Sequence, residues 1–350
     1  MAYRAHPLLP PAPPDAPPAW IYAAMLDHSG HAGAANGLVR RGMRTVRTLV
    51  DHFLAGNSTR RRIFTGVLKV HVLHEAVGPT VQWYRGVMLH RLRNRTLVAG
   101  ADGSPIPAQD ARWRALLRFW DGGSATPPDD ACVFSVDLLD VRVVNDVRRL
   151  CAAHANPSTL FASTDMCAEG SGQRLMRWQV GLTNWNVSSA LKHLLLHTRG
   201  HVPHDCARPT CRVPLLASNV GIFGGRFQGA FRPFVERVAA RTQQHYDAVH
   251  SSAPRTNSSG GGVVDMLVFN ELVLEHAGPV VRGWPYGTVN APMHGSLCNA
   301  QTAFCAERRR STSTAQLGAD GVCDDRTMLQ DILTRTFFVH KVGCGHRIAC

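Results

Sequence analysis

The chain has 350 residues, 45% of them hydrophobic and 18% charged, which excludes a fibrous or disordered protein and gives enough apolar material for a sizeable core. Lys+Arg total 38 against 25 Asp+Glu, almost all of it arginine, with only Lys69, Lys192 and Lys341 as lysines. The densest basic runs, Arg60-Arg61-Arg62 and Arg308-Arg309-Arg310, have no aromatics between them. With no helix-turn-helix, finger or RNA-binding aromatic motif, no nucleic-acid partner is expected, and two or three of the cations suffice to meet a diphosphate.

Residues 1–19 are Pro-rich and read as an extended, poorly ordered leader; residues 20–350 read as a single domain. Residues 20–26 form a short apolar run, the first strand. Residues 38–54 carry apolar side chains at helical spacing, residues 67–73 alternate as a strand does, and residues 81–92 read as a helix. Residues 99–108 are a Gly- and Pro-containing loop. Helical spacing returns over 110–120, through Trp113, Leu116, Leu117 and Trp120. Residues 131–136 are a compact apolar run stopped by acids, the pattern of a buried central strand. A helix over 147–155, a strand over 159–163 and a short helix over 189–197 follow. Residues 213–217 lead into a Gly-rich turn at 218–225, then a helix over 227–245. The Ser/Gly-rich loop at 251–262 has the composition of a mobile lid. A helix spans 265–276, an insertion 306–325, and a last strand 337–340. Short strands alternating with helices give an α/β fold with a mixed, mainly parallel central sheet flanked by helices.

Ten cysteines, clustered late, include the local pairs Cys206/Cys211 and Cys298/Cys305, whose spacings are not those of a zinc ribbon. They read as loop disulfides, which point to an oxidising compartment. Four sequons, at Asn57, Asn94, Asn186 and Asn257, point the same way. No signal core or membrane-spanning run is visible. The expectation is therefore a Golgi or other secretory-pathway lumen with a membrane tether outside this chain, the cytoplasm being the alternative.

Four segments carry candidate chemistry. In Ser135-Val136-Asp137-Leu138-Leu139-Asp140-Val141 a buried strand runs into two acids. Ligands of open α/β sheets bind outside the carboxyl ends of the strands, and two carboxylates there can grip a hard divalent cation that neutralises a diphosphate. Asp146 suits the N-cap of the next helix. Asn219, Gly221, Gly224 and Gly225 lie in a turn before a helix, where glycines let backbone approach a ligand. Asp265 and Asn270 bracket an apolar stretch; Asp265 either caps a helix or acts on a sugar. His340 and Lys341 follow the last strand, a candidate metal ligand and a phosphate partner.

The order of these segments resembles the nucleotide-diphospho-sugar transferases of the glycosyltransferase A-type fold. The resemblance is strongest to glycogenin-like family 8 enzymes and their plant and protist relatives. It covers roughly residues 130–345. It implies that Asp137, Asp140 and His340 hold Mn2+ or Mg2+, and that Asp137, Asn219, Gly221, Gly224, Gly225, Asn270 and Lys341 line the donor and acceptor sites. Asp265 would be the catalytic carboxylate. The activity implied is transfer of a hexose from a nucleotide-sugar donor to a hydroxyl of a glycan or protein acceptor. Two departures stand out: D-x-x-D replaces the usual D-x-D, and Met266 stands where Gln often follows the acid. They leave open a non-catalytic glycan- or nucleotide-binding protein of the same fold.

Overall fold

The computed structural model describes residues 8–25, 42–55, 57–76, 78–92, 108–123, 125–138, 141–164, 218–252, 264–283, 288–292 and 334–340. Among the described residues, eight strands form the central sheet: β1 (Ala19–Met25), β2 (Leu68–His74), β3 (Val81–Tyr84), β4 (Val87–Arg91), β5 (Cys132–Val136), β7 (Leu160–Thr164), β8 (Ser218–Arg226) and β9 (Val280–Arg282). Their order is β3-β4-β2-β1-β5-β8-β7-β9. The β1–β2, β1–β5, β2–β4 and β7–β9 pairs are parallel; β3–β4, β5–β8 and β7–β8 are antiparallel. The sheet is thus mixed and mainly parallel. A second, three-stranded sheet pairs β6 (Val141–Val143), β11 (Phe338–His340) and β10 (Asn290–Pro292).

Helices cover both faces. On one lie α3 (Ala108–Asp121), α5 (Arg232–Ser252) and α6 (Asp265–Leu274), α5 being entered through a π-helical turn at Phe227–Phe231. Their core includes Trp113, Trp120, Phe223, Phe231, Phe234 and Phe269, arranged largely edge to face. On the other lie α1 (Met43–Phe53), α2 (Asn57–Phe64) and α4 (Arg148–Ala153), against a core with Ile21, Val70, Val72, Phe134 and Phe338. In α1 the buried residues are Val46, Leu49, Val50 and Phe53, the one-sided stripe of a surface helix. In α6 every residue from Asp265 to Val273 is buried, so this helix has no solvent face, and its polar residues must find partners inside.

Three sequence expectations are corrected. Residues 81–92 form a hairpin, not a helix. Arg85 (φ 51°) and Gly86 (φ 81°) make a two-residue turn with both residues left-handed, the geometry that matches the twist of paired strands. The Gly-rich segment at 218–225 is not a turn but the body of β8, hydrogen-bonded on both sides. Gly224 pairs with Phe134 of β5 and Phe161 of β7, whose rings stack 5.8 Å apart. A Cβ at Gly224 would stand 2.2 Å from the Phe134 ring and 2.5 Å from the Val133 carbonyl oxygen. The glycine is there because an aromatic ring fills its place. Finally, residues 8–18 of the Pro-rich leader are tied down: Arg149 donates to the Pro10 carbonyl (2.8 Å), Arg148 to that of Ala16 (2.9 Å), and Leu9 packs on the core.

Helix α2 was not anticipated. Both Ser58 (3.1 Å) and Thr59 (2.7 Å) donate hydroxyls to the Val143 carbonyl, fastening it to the small sheet. A disulfide joins Cys132 to Cys151, locking the start of β5 to α4. The Cys206/Cys211 and Cys298/Cys305 pairs lie outside the described residues, as do the 189–197 helix, the 213–217 run, nearly all of the 251–262 loop and the 306–325 insertion. Among the described residues no helix is long and apolar enough to cross a membrane.

Candidate functional site

Strand β5 is buried along its length, and Asp137 is the residue at which it leaves the sheet. The Asp137 N–H donates to the Gly221 carbonyl (2.9 Å), extending the β5–β8 pairing by one step, while its carboxylate is 38% exposed. The backbone is therefore held as part of the sheet and the side chain reaches solvent. This is the carboxyl end of a strand parallel to β1, where an α/β sheet opens to ligands.

Arg112, in the first turns of α3, holds Asp137. Its Nη1 lies 2.7 Å from Asp137 Oδ1 and its Nη2 lies 3.1 Å from Asp265 Oδ2. One planar guanidinium thus joins the end of β5 to the start of α6, a fork that lysine has no geometry to replace. Arg112 and Asp265 are nearly sealed, with side chains 11% and 6% exposed. Burial raises the Asp265 carboxyl above its ordinary value and the neighbouring Asp137 charge adds to this, while Arg112 pulls it back down.

Asp265 is not the cap of α6. It is the first helical residue, and Val264 holds the cap position. Asp265 Oδ1 accepts the N–H of Met266 (2.7 Å), while the Val264 N–H goes to Asp110 Oδ2 of α3 (3.1 Å). The same oxygen accepts the Tyr246 hydroxyl of α5 (2.5 Å). Asp110 and Arg112, two residues apart on α3, therefore grip the start of α6 from two sides. Burial, with the Asp265 charge beside it, pushes the Asp110 carboxyl up to about 8. Asp146, expected as the cap of the next helix, stands one residue too early: Val147 holds the cap position of α4, while Asp146 receives the Arg148 N–H (3.1 Å) and pairs with the Arg148 guanidinium (2.8 Å).

The other residues named from sequence fall into three groups. Asn219, Gly221 and Asn270 frame the site. Asn219 Oδ1 accepts the Gly221 N–H (2.7 Å). Asn270 accepts the Ser218 N–H (2.7 Å) and donates to the carbonyls of Ser218 (2.9 Å) and Met266 (2.8 Å), stitching α6 to the entry of β8. Gly224 and Gly225 lie deeper in β8 and serve packing. Asp140 and Lys341 lie outside the described residues. His340 ends β11, and its Cα partner across the small sheet is Val141, the residue bonded to Asp140. The register thus brings the first and last of the four segments side by side. Among the described residues no group of three or more His, Cys, Asp and Glu gathers to hold a metal ion.

Arg112, Asp110 and Tyr246 were missed by sequence reasoning. An Asp in the first turn of a helix is ordinary, and one arginine among so many carries no signal.

No protein-family model matches the chain, and no curated protein matches it. Among solved structures the chain is similar to a galactosyltransferase, LgtC, determined in complex with donor and acceptor sugar analogs. The TM-score is 0.41 and the identity 14%, over 94% of this chain and 90% of that chain. A likeness of that size assigns no residue roles here.

Proposed function

We propose that the chain is a glycosyltransferase of the A-type fold, moving a hexose from a nucleotide-diphosphate sugar to a hydroxyl of a glycan or protein acceptor with the help of a divalent cation. The observation that carries this reading is Arg112 bridging Asp137 and Asp265. It joins the acid after the central strand to the acid that opens α6, two positions that the sequence resemblance picks out separately. The donor set is of the hard, oxygen-rich kind that Mn2+ or Mg2+ prefers, with Asp137, Asp140 and His340 as the ligands. Such a cation supplies charge neutralisation for the leaving diphosphate. With Asp137 engaged by such a cation, the Arg112 Nη1 donor, which now pairs with Asp137, would be available to an oxygen of the sugar or phosphate. Asp265, still held by Nη2, presents a carboxylate of fixed position to the sugar.

A second reading keeps the same binding site without turnover. Met266 favours it: the residue is buried, and its sulfur sits 3.5 Å from the Val220 N–H, where the resembled enzymes often place an amide. Thermal melting against a panel of UDP- and GDP-hexoses, with and without Mn2+, tests both, because a ligand of the folded state raises the melting temperature. The expected result is stabilisation by one nucleotide class that needs the metal and disappears in Asp137→Asn. Stabilisation without release of free nucleotide in the presence of any acceptor selects the second reading. If nothing in the panel shifts the transition, both are refuted.

A further inference from the structure

Asp110 is buried, at 2% exposure, and is not used by the transfer reading. Its two oxygens are unequal. Oδ2 accepts two hydrogen bonds, from Tyr246 and from Val264. Oδ1 is sealed from solvent and has no hydrogen-bond partner among the described residues. An ionised carboxylate with one bare buried oxygen is a costly arrangement, and a proton on that oxygen removes the charge. The groups facing Asp110 are Tyr246 of α5, Asp265 of α6 and Arg112 of its own helix. The one cation among them is already engaged by Asp265 and Asp137. Two buried carboxyls competing for a single guanidinium cannot both be comfortably ionised.

We propose that Asp110 is a positioning residue that works as a neutral carboxyl group: it fixes the start of α6 through Val264 and Tyr246 while leaving the whole of the Arg112 charge to Asp265 and Asp137. The arrangement rests on the site reading above for its use, but not for its existence. It makes the site sensitive to alkali. When Asp110 loses its proton, a second buried anion draws on Arg112 and the pair that orients Asp265 is weakened. The raised Asp110 carboxyl, at about 8, agrees with this.

Asp110→Asn tests the idea, since its amide oxygen can accept from Val264 and Tyr246 while its NH2 group takes the place of the protonated oxygen. A carboxyl raised on folding binds its proton more tightly in the native state, so the parent loses stability as pH rises from about 4 through about 8. The variant has no such loss. Melting temperatures of parent and variant are therefore expected to be close at pH 5, with the variant gaining on the parent by about 2 °C or more at pH 9. A gap that stays flat from pH 5 to pH 9 overturns the proposal, and this holds whether or not any nucleotide binds. Asp110→Ala, which leaves both donors without an acceptor, should melt lower than either at every pH, and equal melting of Ala and Asn variants counts against positioning. Affinity for the nucleotide-sugar found in the panel above, at fixed Mn2+, should fall severalfold in the parent above pH 8 and stay level in Asp110→Asn; parallel profiles leave Asp110 a purely structural group and overturn the inference. Should the Asn variant not fold, carboxyl 13C NMR of the parent decides, with an Asp110 resonance that titrates below pH 5 as the refuting result.

Discussion

Replacing Arg112 by alanine is expected to cost about 3–5 kcal/mol of stability at pH 7, the range for breaking a buried ion pair from one side. The magnitude follows from the two ends of the guanidinium. Asp265, with a side chain only 6% exposed, loses its one cationic partner among the described residues and must either stay charged in a sealed site or take up a proton. Asp137 is 38% exposed and recovers most of its solvation from water, so its share is no more than about 1 kcal/mol. The penalty should therefore depend on pH. A protonated Asp265 needs no cation, so the cost of Arg112→Ala shrinks as pH falls and grows as pH rises. Adding Asp265→Asn to Arg112→Ala should recover most of the loss, because the orphaned charge is gone. Urea unfolding followed by far-UV circular dichroism measures all three variants. An Arg112→Ala variant within 1 kcal/mol of the parent at pH 8, or a double variant no better than the single one, would falsify the idea that this pair holds the site together.

Two further predictions concern the frame. The Cys132–Cys151 disulfide, closing a loop with a sequence separation of 19, should contribute about 2–4 kcal/mol, lost in Cys132→Ser; non-reducing peptide mapping should recover the two cysteines linked, and finding both alkylated in protein from an oxidising host refutes the bond. Gly224→Ala forces a methyl group against the Phe134 ring and the rigid Val133 carbonyl, so it should destabilise by at least about 2 kcal/mol; a variant melting with the parent would mean the sheet yields there and the glycine has another reason.

The sequence determined the parts whose signal is local. Periodicity marks α1, α3, α5 and α6, alternation marks β2, and short apolar runs mark β1, β5 and β7, because burial on one face or both dictates which positions are apolar. It also singled out Asp137 and Asp265, each of which stands where an apolar segment meets a polar one. Tertiary structure decided the rest. Residues 81–92 carry enough apolar side chains for a helix, and only pairing with β2 and the left-handed turn at Arg85-Gly86 make them a hairpin. The glycines at 221, 224 and 225 read as a loop by composition. All three lie within β8; at Gly224 the Phe134 ring of the neighbouring strand occupies the space a side chain would need, at Gly225 the Ala230 methyl group and the Thr159 carbonyl crowd it, and no local rule sees that. The meeting of Asp137 with Asp265 likewise depends on Arg112 and Asp110, two polar residues in the first turns of an otherwise ordinary helix. Their roles come from what the fold packs against them: a buried charge is defined by its partners, and those partners are distant in the chain.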